Sequence, residues 1–148
     1  MPARPSSPNN LKSSTLSDNN PKTAAGQYKP RLHAIPTSAI LEVGMAMQDG
    51  EKKYGLYNWR DKPISSSVYY DAMFRHLLLW WEREETDPQT NIKHLAYVAA
   101  NAMILLDAFN KISVYDDRPT NPIYLSEIIH FMSKRAMQQD ETKETENE

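Results

Sequence analysis

The sequence predicts an all-α protein, a helical bundle completed by oligomerisation. Three observations carry that expectation. Apolar residues recur at the helical period in four stretches, the connections between them are short and marked by Gly, Pro, Asp and Asn, and no stretch alternates with the two-residue period of a half-buried strand. The 148 residues, 40% of them hydrophobic, suffice for one modest core.

The segment from Met1 to about Tyr28 is built from Pro, Ser, Asn, Thr and Lys, with Leu11 and Leu16 nearly its only large aliphatics. It buries too little apolar surface to offset its ordering entropy, so residues 1–28 are expected to form a disordered arm and residues 29–139 the folded domain. After Pro36, Thr37 and Ser38 offer caps for a first helix whose Ile40, Leu41, Val43, Met45 and Met47 lead to a glycine stop at Gly50. The stretch Lys53 to Pro63, crowded with aromatic, basic and turn residues, has no periodicity and reads as a loop.

Ser65, Ser66 and Ser67 offer N-caps for a second helix from about Val68 to Arg83 or a few residues beyond, and Asp87-Pro88 closes that region. A third helix opens near Thr90 or Asn91 and runs to about Phe109 on Leu95, Val98, Ala99, Ala102, Leu105 and Leu106. The short connection makes these two helices antiparallel neighbours. Asn121-Pro122 starts a C-terminal helix over 122–139, whose stripe of Ile123, Leu125, Ile128, Ile129 and Met132 must fold back or dock on another subunit. So small a core is why a homo-oligomer, a dimer or tetramer, is expected. Residues 140–148 read as a disordered acidic tail.

Composition narrows the chemistry. The absence of cysteine leaves His and carboxylates as metal ligands and favours hard, oxygen-bound cations. A net charge of −2, with 17 basic residues scattered rather than striped, leaves no electrostatic footprint for nucleic acid. No apolar run has the length of a secretory signal or a membrane span, so a cytoplasmic protein with no membrane partner is expected. The Gly-rich phosphate loop, the Gly-x-Ser-x-Gly elbow and the His-Glu-x-x-His zinc motif are all absent.

The densest chemistry lies at the end of the second helix, where Glu82, Glu84, Glu85 and Asp87 face only Arg83 locally. A solvated helix end is the plain reading of such a cluster. On a continuing helix, however, Glu82 and Glu85 share one face with Asp71, Arg75 and Leu78, while Glu84 and Asp87 share another with His76 and Trp80. Either pair would hold a cation, and only one can point inward. On the third helix His94 and Asn101 fall on one face within a run of Leu, Ala and Val. A histidine there is usually a satisfied core residue, but a buried amide needs several hydrogen bonds. In the loop, Lys52, Lys53 and Arg60 stand among Tyr54, Tyr57, Asn58 and Trp59, which suits phosphate and a stacked base.

Lys53-Tyr54-Gly55, Asn58-Trp59, Asp71, Arg75-His76-Leu77, Trp80, Glu84, Asp87, His94-Leu95-Ala96 and Asn101, in that order and spacing, resemble the N-terminal domain of phage-type dATP/dGTP diphosphohydrolases of the MazZ-like kind. These are a branch of the MazG-like all-α nucleotide pyrophosphohydrolases, and the likeness spans roughly Lys29 to Phe109. The resemblance implies a MazG-like bundle and Mg²⁺- or Mn²⁺-dependent hydrolysis of a purine (deoxy)nucleoside triphosphate (dGTP, dATP or GTP) to the monophosphate and pyrophosphate, in the host-cell cytoplasm if the chain is phage-encoded. Metal binding is expected of one of two pairs, Glu82 with Glu85, which fits the wider family's pattern, or Glu84 with Asp87, at which the phage-type branch resembles this chain. For catalysis Asp71 or Glu85 is expected to take the proton of the attacking water and Lys53 and Arg75 to neutralise the departing pyrophosphate, and substrate binding is expected of Lys53, Asn58, Trp59, His94 and Asn101. The wider family pairs Glu-x-x-Glu with Glu-x-x-Asp on the next helix, whereas the third helix here has no acidic residue before Asp107. The competing expectation is a non-catalytic helical adaptor whose loop and tail dock on a larger protein.

Overall fold

The computed structural model describes residues 20–146. It divides into two units, residues 1–37 and 38–148. Within the first, a short helix α1 (Pro21–Gly26) has Pro at its start, and the Asn20 side chain accepts from the backbone N–H of Lys22 at 2.9 Å. A 3₁₀ turn (Leu32–Ala34) follows. The expected disordered arm thus contains one capped helical turn, and the rest of that expectation, residues 1–19, lies outside the described residues.

Among the described residues the second unit is built from helices joined by loops, with one two-residue strand pair. Helix α2 (Thr37–Tyr54) runs through Gly50, the expected stop, and ends at Gly55, whose φ of 95° is the left-handed conformation of a helix-terminating glycine. An interior glycine weakens a helix by about 1 kcal/mol without breaking it. The expected loop contains a single helical turn, α3 (Asn58–Asp61), entered through Tyr57 at φ 55°.

Helix α4 (Ser66–Trp81) begins at the serine run, yet the serines do not cap it. The cap is Asp117, whose carboxylate accepts from the Ser67 backbone N–H at 2.8 Å and from the Ser67 hydroxyl. Helix α5 (His94–Lys111) starts later than expected. Strand β1 (Ile64–Ser65) precedes α4 and pairs in parallel with β2 (Val114–Tyr115), which follows α5. Thr86 bridges Lys93 at the opposite end of the two helices, so α4 and α5 lie antiparallel as expected.

The core forms where α2 meets α5. Val43 and Ala46 pack on Ala96 and Ala100, with Met47, Ile92, Tyr97 and Ala99 partly buried around them. Helix α6 (Leu125–Glu146) begins after the expected residue 122 and continues beyond residue 139 into the segment read as a tail. Its Ile128, Ile129, Phe131 and Met132 are exposed. Among the described residues no helix is long and apolar enough to cross a membrane.

Candidate active site

One cleft, about 450 Å³ in volume, is lined by α2, α3, α4 and α5. Its walls bring together five of the residues singled out in the sequence: Lys53, Asn58, Trp59, Arg75 and Asn101. Tyr97 and Ile104, both on its α5 wall, lie seven residues apart, roughly 10 Å along the axis. The cleft therefore has two chemically different ends.

At the Tyr97 end stand Asp49, Lys53, Arg75 and His76. Lys53 Nζ donates to Asp49 Oδ2 at 2.6 Å, one helical turn away on α2. The Tyr97 hydroxyl donates to the same oxygen at 2.9 Å and lies 3.0 Å from Thr90 Oγ1, which is 3.3 Å from Asp87 Oδ1. The Lys53 hydrogen bond holds the Asp49 carboxyl below its ordinary value, and Asp49 in turn raises Lys53. At Asp87 burial pushes the carboxyl up, but the backbone N–H groups of Gln89 and Thr90 outweigh it and leave the net shift downward. Burial raises the Tyr97 phenol and lowers the His76 imidazole.

At the Ile104 end stands Trp59. Its indole N–H donates to Asp107 Oδ2 at 2.7 Å, and Arg60 grips both oxygens of the same carboxylate at 2.7 Å each. The Arg60 guanidinium also lies 4.4 Å over the Tyr57 ring, which meets the Trp59 ring edge-on at 5.5 Å. These contacts fix the indole as a wall, for Trp59 also lines a second hollow of about 580 Å³ with Leu41, Met45, Leu56 and Met103. Asn101 sits between the two ends, its amide donating to the Tyr97 carbonyl at 2.8 Å.

The remaining expected residues lie elsewhere. Asp71 is exposed and does not line the cleft. His94 is completely buried, and its Nδ1 meets His76 Nδ1 at 2.8 Å, so it backs the wall without lining it. The acidic cluster is not helical. Helix α4 ends at Trp81, Glu82 caps it and Arg83 turns left-handed at φ 70°, so neither Glu82 with Glu85 nor Glu84 with Asp87 shares a helix face. Glu82, Glu84 and Glu85 are exposed. A carboxylate pair read as helical loses its register once the chain leaves the helix.

Among the described residues no three His, Asp or Glu side chains converge on a point where they would hold a cation. The carboxylate that lines the cleft is Asp49, with a side chain 16% exposed, and Asp87 acts on it through space from outside the lining. Two oxygen donors of this kind suit Mg²⁺, which is usually held by one or two carboxylates together with substrate phosphates.

The sequence pattern gave no role to Asp49, Tyr97 or Asp107, and marked His76 only as a neighbour of Glu84 and Asp87 on one helix face and as part of the resemblance. The available signal was the i, i+4 spacing of Asp49 and Lys53, hidden by ending the helix at Gly50.

Comparison with known proteins identifies the family. A family model described as dATP/dGTP diphosphohydrolase, N-terminal, matches residues 19–118. A curated dATP/dGTP diphosphohydrolase of Salmonella phage PMBT28 is 32% identical over 92 residues, covering 62% of this chain and 31% of that protein. The chain thus spans about a third of the length of that relative. No solved structure matches.

Proposed function

The chain belongs to the family of the dATP/dGTP diphosphohydrolase N-terminal domain, and we propose that its cleft binds a purine (deoxy)nucleoside triphosphate and hydrolyses it to the monophosphate and pyrophosphate. The observation that carries this reading is the polarity of the cleft: cationic and hydroxyl groups at one end, a fixed indole at the other. The triphosphate lies at the Lys53 and Arg75 end and the purine at the Trp59 end, stacked on the indole with Asn58 or Asn101 on its polar edge.

Water adds to the α-phosphorus and releases a proton to bulk solvent while the bond to the bridging oxygen of the departing pyrophosphate breaks. Lys53 and Arg75 neutralise the charge that grows on that group. Asp49, hydrogen-bonded to Tyr97, is the carboxylate that faces the phosphates in place of the exposed Asp71. Asp49 and Asp87 are the residues that would hold Mg²⁺ or Mn²⁺. Such an ion supplies charge neutralisation and a more acidic water.

The test is a panel of dGTP, dATP, GTP and pyrimidine triphosphates incubated with millimolar Mg²⁺ or Mn²⁺, with products separated chromatographically. Release of pyrophosphate from purine triphosphates is expected. Absence of turnover and of metal-linked stabilisation across the panel returns the chain to the adaptor reading.

A further inference from the structure

The buried histidine behind the cleft wall is a polar group without a visible purpose. His94 opens α5, its backbone N–H bonded to the Glu85 carbonyl at 3.1 Å and its ring wholly buried. Its Nδ1 lies 2.8 Å from His76 Nδ1, and its Nε2 has no hydrogen-bond partner. His76 is half-buried, lines the cleft and stacks on Tyr97 with ring centroids 4.6 Å apart and planes within 10°.

Two nitrogens at that distance share one proton, because two protonated Nδ1 atoms would repel and two bare ones would not attract. If the proton belongs to His76, neutral His94 must carry its own on Nε2 and bury a donor with nothing to receive it. An orphaned buried N–H is rarer in folded proteins than an under-satisfied acceptor, so this is the less favourable of the two arrangements. If the proton belongs to His94, its Nε2 is bare and His76 is protonated at Nε2, the ring nitrogen left to the cleft. Burial also lowers the His76 imidazole, consistent with a neutral ring.

We infer that His76 is a phosphate-binding residue, a neutral Nε2–H donor whose tautomer is fixed by His94. The cationic end of the cleft gives the ligand its identity, since Lys53 and Arg75 both act on His76 through space whereas Trp59 stands at the other end. A neutral donor on the same cleft wall as two cations binds a phosphoryl oxygen without adding to their mutual repulsion. This inference rests on the triphosphate reading above, and His94 is a positioning residue within it.

Two measurements on the full chain test it. In ¹⁵N-histidine-labelled protein, long-range ¹H–¹⁵N spectra should show His94 protonated at Nδ1 and His76 at Nε2 in the absence of any ligand. The reversed pattern overturns the proposal. Calorimetric titration with tripolyphosphate and with a non-hydrolysable α,β-methylene dGTP then compares variants checked by circular dichroism. His76→Asn retains a partner for His94 but removes the donor from the cleft, and should weaken both ligands by about tenfold, the ordinary worth of one hydrogen bond. His76→Gln carries its amide nitrogen near the position of Nε2 and should restore most of the loss. His94→Asn, which keeps a donor at the Nδ1 position, should bind nearly as the parent does, and His94→Leu should not. Unchanged tripolyphosphate affinity in His76→Asn overturns the phosphate contact, as does a loss confined to the nucleotide. A parent that binds neither ligand overturns the triphosphate reading itself, and that result is separable because the tautomers are read in the free protein.

Discussion

Asp107 holds Trp59 across 48 positions of sequence: the indole N–H donates to its carboxylate at 2.7 Å while Arg60 occupies both oxygens. The Arg60 fork, followed by the Trp59 bond, depresses the Asp107 carboxyl to about 2 from an ordinary 3.8. A folded-state value below the unfolded one means that the contribution to stability is complete above the unfolded value and disappears as pH falls through the folded one. Replacing Asp107 by Asn should therefore lower the melting temperature at neutral pH, and the gap between parent and variant should close between about pH 4 and about pH 2. Melting curves across that range check it. A gap that persists at the acid limit would mean that lost packing, not charge, is responsible.

The helices were legible because their apolar residues repeat at a period that only a helix satisfies, and the order of α2, α4 and α5 followed directly. Their ends were not. Gly50 looked like a stop because glycine commonly ends helices, but Asp49 and Lys53 pair across it and Gly55 supplies the left-handed residue instead. That misplaced end concealed Asp49. The acidic cluster failed in the opposite sense: a helix prolonged past Trp81 made pairs of carboxylates that the turn at Arg83 separates. Lys53, Asn58, Trp59, Arg75 and Asn101, marked in the sequence by residue type, helix face or resemblance, do line one cleft, whereas the contacts of Asp107 with Trp59 and of His76 with His94 depend on packing between helices.

Ile112 ends α5 in the left-handed conformation, at φ 57°, with 92% of its surface exposed. Neither burial nor contact compensates a β-branched residue there, and this conformation costs roughly 1–2 kcal/mol for a residue with a Cβ. Ile112→Gly relieves it at a smaller cost in unfolded-state entropy, so a net stabilisation of roughly 0.5–1 kcal/mol is expected. The check is a higher urea midpoint with an unchanged slope.

The carboxylates separate two assignments of the metal. Asn at Asp49 or Asp87 should abolish both turnover and the rise in melting temperature on adding Mn²⁺, since stabilisation by a ligand depends on its affinity for the native state. Gln at Glu82, Glu84 or Glu85 should leave both nearly intact, for exposed charges are screened and contribute weakly. Loss of the Mn²⁺ response in any of the three Gln variants would move the ion away from Asp49 to the acidic stretch 82–85.

The last prediction concerns assembly. On α4, Tyr70, Phe74, Leu78 and Trp81 recur at helical spacing and are all exposed, Trp81 at 73%. On α6, Ile128, Ile129 and Met132 form a second uncovered stripe. Apolar surface arranged in this way is unusual on a monomer and marks an interaction surface. The truncation that tests it must spare Asp117, which caps α4 through Ser67, or it would also weaken the helix it is meant to unmask. Deleting residues 123–148 should therefore lower the oligomeric state measured by light scattering while leaving the helical signal of the remaining chain in place. Phe74→Arg, which places a charge in the middle of the α4 stripe, should lower it independently. If the parent is a monomer, or if both variants scatter as the parent does, these faces do not join copies of the chain.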